Sequence, residues 1–286
     1  MTQRLFATPV KVTLAVVGVL ITGALGFFAW QQFYPVSAAK GWTVRVAYDD
    51  VKKAAALALD ANGEVVVSEE LRNRQGRLLH LRADGSRVAL AGELSKPDGL
   101  VSFQGRLVFS QEGGEHPVIS LYNGVMTPLF HGTNVQGLKA DGDLLYAVED
   151  RKGVGRLLRY QASDQSVSVL RNQLDEAEAI EICPNRQMFY TEKAKGVVRR
   201  LSDDGSDPVL LDGLKEPSFL LCDARGLWIT EDRTHQARLL LLDNSGRLQV
   251  ILSYLKAPQE LMPVGDGKYL LAEGGRDRVL EVSAPK

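Results

Sequence analysis

The sequence lacks the features that mark several functional classes. Its 34 basic and 35 acidic residues leave a net charge of −1, so no basic stripe indicates binding to nucleic acid. The chain contains no Gly-x-Ser-x-Gly elbow, no glycine-rich phosphate loop and no Cys-x-x-Cys motif. Its four histidines, which have no spacing typical of a zinc site, are His80, His116, His131 and His235. We therefore exclude nucleic acid as a partner and find no signature of a common catalytic class.

Charge is also missing from residues 12–30, an uninterrupted run of 19 uncharged residues. As a helix it would be about 28 Å long, close to the hydrocarbon thickness of a bilayer. Arg4 and Lys11 precede the run and the next basic residue is Lys40. The positive-inside rule then places residues 1–11 in the cytoplasm and the rest of the chain outside it.

We therefore predict a single-pass anchor in the inner (cytoplasmic) membrane, with the remainder on the periplasmic side after a linker at residues 31–41. A cleaved signal peptide is the alternative, because the small residues at positions 36–38 resemble a cleavage site. The apolar stretch is longer than the usual signal-peptide core of about 7–15 residues, which favours the anchor.

A repeat governs the rest of the chain. Six strand-like segments end in Glu or its amide, at intervals of 38 to 43 residues: Glu69, Gln111, Glu149, Glu192, Glu231 and Glu273. This period is typical of propeller blades, which have about 40 to 50 residues each. The sequence thus predicts an all-β, six-bladed β-propeller over residues 42–286, preceded by one transmembrane helix.

The last repeat is one strand short. Each earlier repeat accommodates four strands separated by turn residues, but the chain ends four residues after Val282. Residues 42–48 alternate in character and have no hairpin partner of their own. We predict that they form the outer strand of the sixth blade and close the ring, which leaves no open sheet edge.

The repeated Glu and the two cysteines occupy equivalent positions in successive blades. A carboxylate that recurs in the repeat is expected to have a structural role, accepting hydrogen bonds from backbone N–H groups. Cys183 and Cys222 each lie nine residues before the Glu of their repeat. A disulfide needs Cα atoms within about 7 Å, and inner strands of adjacent blades diverge, so we expect two unbonded, buried cysteines.

Residues that differ between repeats are the candidates for a site at the mouth of the central channel. At the position two residues before the first Leu or Ile of each inner strand, the chain has Ala55, Asp98, Gln136, Glu178, Ser218 and Gln259, and Glu260 lies next to the last. Asp98 and Glu178 are candidate metal ligands, and their oxygen atoms favour Ca²⁺. The charged connectors between second and third strands are expected to form a solvated rim.

Pro97-Asp98-Gly99-Leu100, Gln136-Gly137-Leu138 and the strand-two endings resemble the SMP-30/gluconolactonase and strictosidine-synthase-like six-bladed propellers, and more weakly NHL repeats. The resemblance covers residues 42–283. It implies a channel divalent cation, calcium or zinc, held by a Glu in the first blade, an Asn in the middle blades and an Asp in a later one. This chain has Ala55, Glu178 and Ser218 at those places.

Three functions remain open. The leading hypothesis is a membrane-anchored binding protein for an envelope protein or a small ligand. The second is a metal-dependent lactonase or esterase with Asp98 and Glu178 as ligands. The third is a strictosidine-synthase-like condensing enzyme with Glu178 or Glu260 as general base.

Overall fold

A computed structural model describes residues 7–285; residues 1–6 of the predicted cytoplasmic segment, and Lys286, lie outside the described residues. Its first compact unit ends at Val36 and contains one helix, Ala7–Phe33. Within that helix, Val12–Gln31 is long and apolar enough to cross a membrane. The second unit, from Ser37 onward, is a six-bladed β-propeller of antiparallel sheets. The helix is consistent with either a signal sequence or an anchor.

Each blade is a meander whose strands run from the channel outward. Blade 1 has the strands Ala54–Leu59, Val65–Glu69, Gly76–Leu81 and Arg87–Leu94. Blade 2 has Pro97–Phe103, Arg106–Gln111, Glu115–Tyr122 and Val125–Thr133. Blade 3 has Val135–Asp141, Leu144–Glu149, Gly155–Gln161 and Ser166–Leu174. Blade 4 has the strands Ile180–Ile182, Met188–Glu192, Val197–Arg200 and Val209–Leu211. Blade 5 has Pro217–Asp223, Gly226–Glu231, Ala237–Asp243 and Leu248–Leu255. Blade 6 has Pro258–Gly265, Lys268–Glu273 and Arg278–Ser283. Two 3₁₀ turns, Lys193–Lys195 and Gly274–Arg276, follow second strands.

Two N-terminal strands join the last two blades. Thr43–Tyr48 pairs antiparallel with Arg278–Ser283 and is the fourth strand of blade 6. Ser37–Ala38 pairs with the outer strand of blade 5 and gives that sheet a fifth strand. The sequence did not indicate the second pairing. The chain therefore contacts the edge of blade 5 before it completes blade 6.

The repeated Glu has the structural role predicted for it. In all six blades its Oε1, or that of Gln111, accepts a backbone N–H at 2.8–3.2 Å from the segment that leads into the inner strand. In the five Glu blades, Oε2 accepts the Nε–H of a third-strand arginine at 2.5–2.7 Å; these arginines are Arg77, Arg156, Arg199, Arg238 and Arg278. The third strand of the Gln111 blade, Glu115–Tyr122, contains no arginine. A glutamate at position 111 would therefore lack a cation to pair with, whereas the neutral amide of Gln111 needs none.

The expectation of unbonded cysteines is wrong. Cys183 and Cys222 form a disulfide, with their Cα atoms 5.0 Å apart. Blades diverge with distance from the channel, but inner strands are the part nearest to it, and there blades 4 and 5 lie close enough for a bond. Cys183 also belongs to an apolar cluster with Leu220 and Leu227 of blade 5. The disulfide and the N-terminal apolar helix indicate extracytoplasmic placement.

Candidate functional site

Four of the six channel-mouth residues present an unsatisfied oxygen. Asp98, Gln136, Glu178 and Gln259 are at most 5% exposed. Within residues 7–285 they have no hydrogen-bond partner at Asp98 Oδ1, Gln136 Oε1, Glu178 Oε2 and Gln259 Oε1. Buried polar atoms are normally paired. These four oxygens, from blades 2, 3, 4 and 6, therefore indicate a place where something else binds.

The two remaining positions differ. Ala55 is fully buried and has no polar side chain. Ser218 Oγ lies 3.0 Å from Thr230 Oγ1 on the adjacent strand. Four of the six mouth positions thus offer an oxygen without a partner among the described residues, and the positions of Ala55 and Ser218 do not.

A hydroxyl on the second strand fixes the start of the inner strand in four blades. The N–H groups of Ala56, Gly99, Ala179 and Phe219 donate to Ser68 Oγ, Ser110 Oγ, Thr191 Oγ1 and Thr230 Oγ1 at 2.9–3.1 Å. Each of these residues follows a channel-mouth position directly. The hydroxyls therefore hold the mouth side chains at the entrance of the channel.

A second layer of charged residues comes from the connectors after the repeated Glu. In every blade the first connector residue donates its N–H, at 2.8–3.0 Å, to the carbonyl of a left-handed residue that precedes the inner strand. These first connector residues are Glu70, Glu112, Asp150, Lys193, Asp232 and Gly274. The bond brings five charged side chains to the channel mouth.

The prediction that these connectors form a solvated rim is wrong for their first residues. The side chains of Glu70, Glu112 and Asp232 are only 15–19% exposed. The backbone N–H of each first connector residue donates to the carbonyl of the residue that precedes the inner strand. This hydrogen bond holds the connector residue close to the channel.

Two lysines bridge the acidic groups of the mouth. Lys193 Nζ lies 2.6 Å from Glu178 Oε1 and 2.8 Å from Asp232 Oδ2. Lys96 Nζ lies 2.8 Å from Glu70 Oε1 and also contacts Glu112. The mouth has six carboxyl groups, and the two ammonium groups pair with four of them, those of Glu70, Glu112, Glu178 and Asp232; the other two are those of Asp98 and Asp150. The mouth has an excess of acidic groups.

Burial and the neighbouring acidic groups raise the pKa values of three acids at the mouth. Burial raises the pKa of Asp98 well above its usual range, and Glu70 and Glu112 raise it further. Burial likewise raises the pKa of Glu178, against the opposing effect of Lys193. The pKa of Asp150 rises to about 6, mainly through burial and then through Glu112. Each shift comes first from burial, which disfavours the charged form of the acid, and neighbouring acidic groups add to it.

The unsatisfied atoms also define what the mouth can bind. All four oxygens are hydrogen-bond acceptors when ionised or in amide form, so a partner must be a cation or a donor. Ligand oxygens of Glu70, Asp98 and Glu112 lie within 4.8 Å of one another. Carboxylate and amide oxygens are the donors that hard cations such as Ca²⁺ prefer. The group of Glu70, Asp98 and Glu112 could therefore hold an oxygen-bound divalent cation, and Glu178 is not a member of this group.

Two other sets of residues lie elsewhere. Glu260 lines a cavity inside the channel, and its Oε2 accepts the Leu57 N–H at 2.8 Å. Asp60, Glu64 and His80 form a second acidic cluster near the end of the inner strand of blade 1. His80 Nε2 lies 3.0 Å from Asp60 Oδ2. Hydrogen bonds within this cluster account for its arrangement.

Sequence reasoning missed Lys96 and Lys193. Lys96 lies two residues before Asp98, and Lys193 directly after the repeated Glu192. Aligning the repeats at these two offsets would have revealed a basic residue beside the acidic ones. The role of each lysine depends on contacts between blades, which the alignment does not contain.

Comparison with known proteins identifies the fold. No family model matches the chain, and no curated protein matches it in sequence. Among solved structures, it is similar to a gluconolactonase from Xanthomonas campestris, with a TM-score of 0.73 and 15% identity over 87% of this chain and 91% of that one. It is also similar to a streptogramin B lyase (TM-score 0.62, 12% identity, 87% and 99% covered) and to an auxiliary nutrient binding protein from Bacteroides thetaiotaomicron (0.67, 13%, 88% and 78%).

These matches agree with the resemblance found in the sequence. They define a six-bladed propeller of the gluconolactonase-like fold. The similar structures include a lactonase, a lyase and a binding protein, so the function depends on the site.

Proposed function

We propose that this protein is a cation-dependent hydrolase of lactones or related esters that acts at the channel mouth. The observation that carries the proposal is the set of four buried acceptor oxygens without partners, on Asp98, Gln136, Glu178 and Gln259. Similarity to a gluconolactonase gives independent support. The proposal retains a cation site although the ligand set differs from that of the family at Ala55, Glu178 and Ser218.

Asp98 and Glu178 would hold the cation with carboxylate oxygens, and Gln136 and Gln259 with amide oxygens. Calcium is the cation that this oxygen set favours. A divalent cation in such a site polarises a carbonyl group and makes a bound water more acidic. The buried acids Asp98 and Glu178 would lose their protons when the cation binds, because its charge reverses the effect of burial on their pKa values.

Asp150 is the candidate general base. Its pKa of about 6 makes it ionised at neutral pH yet still able to accept a proton. Its Oδ1 is buried and has no partner among the described residues. Lys96 and Lys193 each retain a third N–H beyond their two carboxylate contacts. These donors can stabilise negative charge that develops on the substrate.

We propose that residues 12–30 span the inner membrane, with residues 1–11 in the cytoplasm, residues 31–41 as a linker and the propeller of residues 42–286 in the periplasm. The disulfide supports an oxidising compartment. Ser37 and Ala38, part of the alternative cleavage site, pair with Ser253 and Leu252 of blade 5. Cleavage after Ala38 would remove this strand, so the pairing favours the uncleaved, anchored chain.

A binding protein for a small ligand or an envelope partner is the second candidate. Lys96 and Lys193 already neutralise part of the acidic mouth, and one similar structure is a nutrient binding protein. A donor-rich ligand such as a polyol or an amine would satisfy the same four oxygens. The condensing-enzyme hypothesis is weaker, because Glu178 is paired with Lys193 and Glu260 is not at the mouth.

The test uses the full chain in detergent, with metal analysis and hydrolysis assays on a panel of lactones and aryl esters. We expect one bound divalent cation and a hydrolytic activity that a chelator abolishes and calcium restores. Glu178→Gln should lower kcat/KM by at least about 100-fold, because even residues that only support metal ligands change activity by about 10 to 100-fold.

Glu281→Gln is the matched control, since Glu281 pairs with the exposed Arg45 on the outer strands of blade 6. It should leave both metal content and activity unchanged. A chain without bound cation and without chelator-sensitive hydrolysis contradicts the proposal and favours the binding protein.

A further inference from the structure

Glycine follows two of the six mouth positions directly. Gly99 follows Asp98 on blade 2, and Gly137 follows Gln136 on blade 3. The residues that follow the other four mouth positions are Ala56, Ala179, Phe219 and Glu260. Neither glycine has a positive φ, so the backbone conformation is one that other residues adopt as well. The reason for glycine must therefore be the space around it.

A side chain on either glycine would collide with the backbone of the next blade. A Cβ atom on Gly137 would lie 2.3 Å from the carbonyl oxygen of Glu178 and 3.0 Å from the Cα of Ala179. A Cβ atom on Gly99 would lie 2.3 Å from the carbonyl oxygen of Gln136. Non-bonded heavy atoms are most stable at about 3.5–4.0 Å, so a side chain would force the two backbones apart by about 1 Å.

These contacts join the mouth positions of blades 2, 3 and 4. The glycine after Asp98 touches the carbonyl of Gln136, and the glycine after Gln136 touches the carbonyl of Glu178. The three side chains carry three of the four buried oxygens that lack a hydrogen-bond partner in the described chain. The two glycines therefore lie at the seams between blades that supply neighbouring acceptor oxygens.

The backbone of Glu178 is also held within its own blade, by the fully buried Thr191. Thr191 Oγ1 accepts the N–H of Ala179 at 3.0 Å and that of Glu178 at 3.3 Å. The same hydroxyl donates to the carbonyl of Ser218 on blade 5 at 3.2 Å. A displacement of Glu178 by a side chain at position 137 would therefore strain these hydrogen bonds or move the carboxylate.

We propose that Gly99 and Gly137 are positioning residues of the cation site. Without side chains, they let the backbones that carry Asp98, Gln136 and Glu178 lie in contact. The inference rests on the proposed function, because it takes these side chains as cation ligands. Calcium has oxygen ligands at about 2.3–2.6 Å, a range much narrower than the displacement of about 1 Å that a side chain would cause. Water would then replace a displaced ligand.

The test titrates the full chain in detergent with terbium, whose luminescence reports binding and whose lifetimes in H₂O and D₂O report the number of coordinated waters. Gly99→Ala and Gly137→Ala should each weaken terbium binding by about 10- to 100-fold, as the loss of residues that support metal ligands does. Each should add about one coordinated water, because water completes the coordination of such ions.

Gly92→Ala is the matched control. Gly92 lies on the outer strand of blade 1, has no positive φ, and a Cβ atom there would meet nothing within 4 Å. This variant carries the same substitution in a strand and should bind terbium as the parent chain does. Thermal melts check that each variant is folded.

A double variant separates positioning from a general loss of stability. If Gly137 acts through Glu178, its substitution has little left to affect once the carboxylate is gone. In a chain that carries Glu178→Ala, Gly137→Ala should therefore weaken terbium binding by less than about 3-fold. A general loss of stability would weaken binding equally in both chains.

Thr191 tests the placement of Glu178 independently, and Gly99→Ala carries the glycine test if Gly137→Ala does not fold. Thr191→Val keeps the shape of the side chain but removes the acceptor, so it should weaken terbium binding. Thr191→Ser keeps the hydroxyl and should bind as the parent chain does. Ser68→Ala is the control, because Ser68 accepts an inner-strand N–H at 2.9 Å in blade 1, where Ala55 offers no ligand.

The outcomes distinguish this inference from the proposed function. Glycine variants that bind terbium as the parent chain does, or with an unchanged number of waters, overturn the inference and leave the cation site in place. An equal effect of Gly137→Ala with and without Glu178 also overturns it. A parent chain that binds neither terbium nor calcium overturns both proposals. A chain that binds terbium but hydrolyses no lactone or ester contradicts the hydrolase alone.

Discussion

Lys193 Nζ lies 2.6 Å from Glu178 Oε1, while Oε2 of the same carboxylate has no hydrogen-bond partner among the described residues. One oxygen of Glu178 is therefore held by an internal cation and the other is available to a ligand. The lysine keeps the carboxylate in place at a depth where burial would otherwise favour its neutral form. We regard this pair as the central feature of the channel mouth.

Lys193→Met should destabilise the fold at neutral pH. Although burial disfavours the charged lysine, Glu178 and Asp232 raise its pKa above the usual value, so the stability that the charged lysine contributes is lost only as the pH rises above about 10.4. Its loss leaves two acids without a cation, at a cost of about 3 kcal/mol in the free energy of unfolding at pH 7.5. The deficit should be smaller at pH 5 than at pH 7.5, because burial raises the pKa of Glu178 and favours its protonation as the pH falls. Urea denaturation at both pH values measures it.

Lys195→Met is the matched control for this variant. Lys195 pairs with Glu192, but its side chain is 43% exposed. Exposed pairs contribute about 0–1 kcal/mol. Equal losses for the two variants would contradict a special role of Lys193.

Calcium affinity should increase with pH between 5 and 7. Burial raises the pKa values of Asp98 and Glu178, and the pKa of Asp150 is about 6. Protons on these acids compete with the cation, and the competition weakens as the pH rises, for Asp150 through its pKa of about 6. Terbium luminescence or calorimetry of the full chain should show this rise. An affinity that is constant over the range contradicts it.

Asp150→Asn should flatten part of this pH dependence, because it removes the group with a pKa of about 6. Asp164→Asn is the control. Asp164 is exposed and accepts the N–H of Ser166 in a turn. The control should reproduce the profile of the parent chain.

Gln111→Glu should destabilise the protein at neutral pH and not at acid pH. The new carboxylate would lie in the only repeat whose third strand lacks an arginine, so its pKa in the folded state should exceed the usual value of about 4.3. Stability then falls as pH rises through about 4.3 to the raised pKa, and the loss is complete above it. Thermal melts from pH 4 to 8 test this, with Gln75→Glu in an exposed turn as control.

Reduction of the Cys183–Cys222 disulfide should lower the thermal stability. The bond closes a loop with a sequence separation of 39 residues, for which chain entropy predicts about 4 kcal/mol. For a domain of this size that amounts to a fall in Tm of about 10 °C. Differential scanning calorimetry with and without a reductant measures the change. The double variant Cys183→Ala/Cys222→Ala should show the lower Tm in both conditions.

The periodic features of the fold could be predicted from the sequence, and the contacts between blades could not. The six Glu or Gln positions repeat at nearly constant spacing, and each is satisfied within its own blade and the strand that enters it. The Cys183–Cys222 bond depends on how closely two inner strands approach near the channel. No local pattern encodes that distance. The same limit applies to Lys193, which pairs with Glu178 within its own blade and Asp232 of the next.

The candidate site was predictable as a set of positions. Asp98, Gln136, Glu178 and Gln259 were identified because they differ between repeats. Their burial and the unsatisfied oxygens appear only in three dimensions. The different location of Glu260, one residue after Gln259, follows from the alternation of side chains along a strand, and its contact with Leu57 crosses the seam between the last and first blades.

The strand Ser37–Ala38 also has a mechanical consequence. Tension applied at the N-terminal helix would reach this two-residue strand before it reaches Thr43–Tyr48, which completes the ring. A short pairing ruptures at a lower force than a long one, because fewer hydrogen bonds share the extension. Separation of Ser37–Ala38 from blade 5 would then lengthen the free N-terminal segment, so that the pairing of Thr43–Tyr48 with blade 6 carries less force. In this respect it would act as a sacrificial pairing between the N-terminal helix and the propeller.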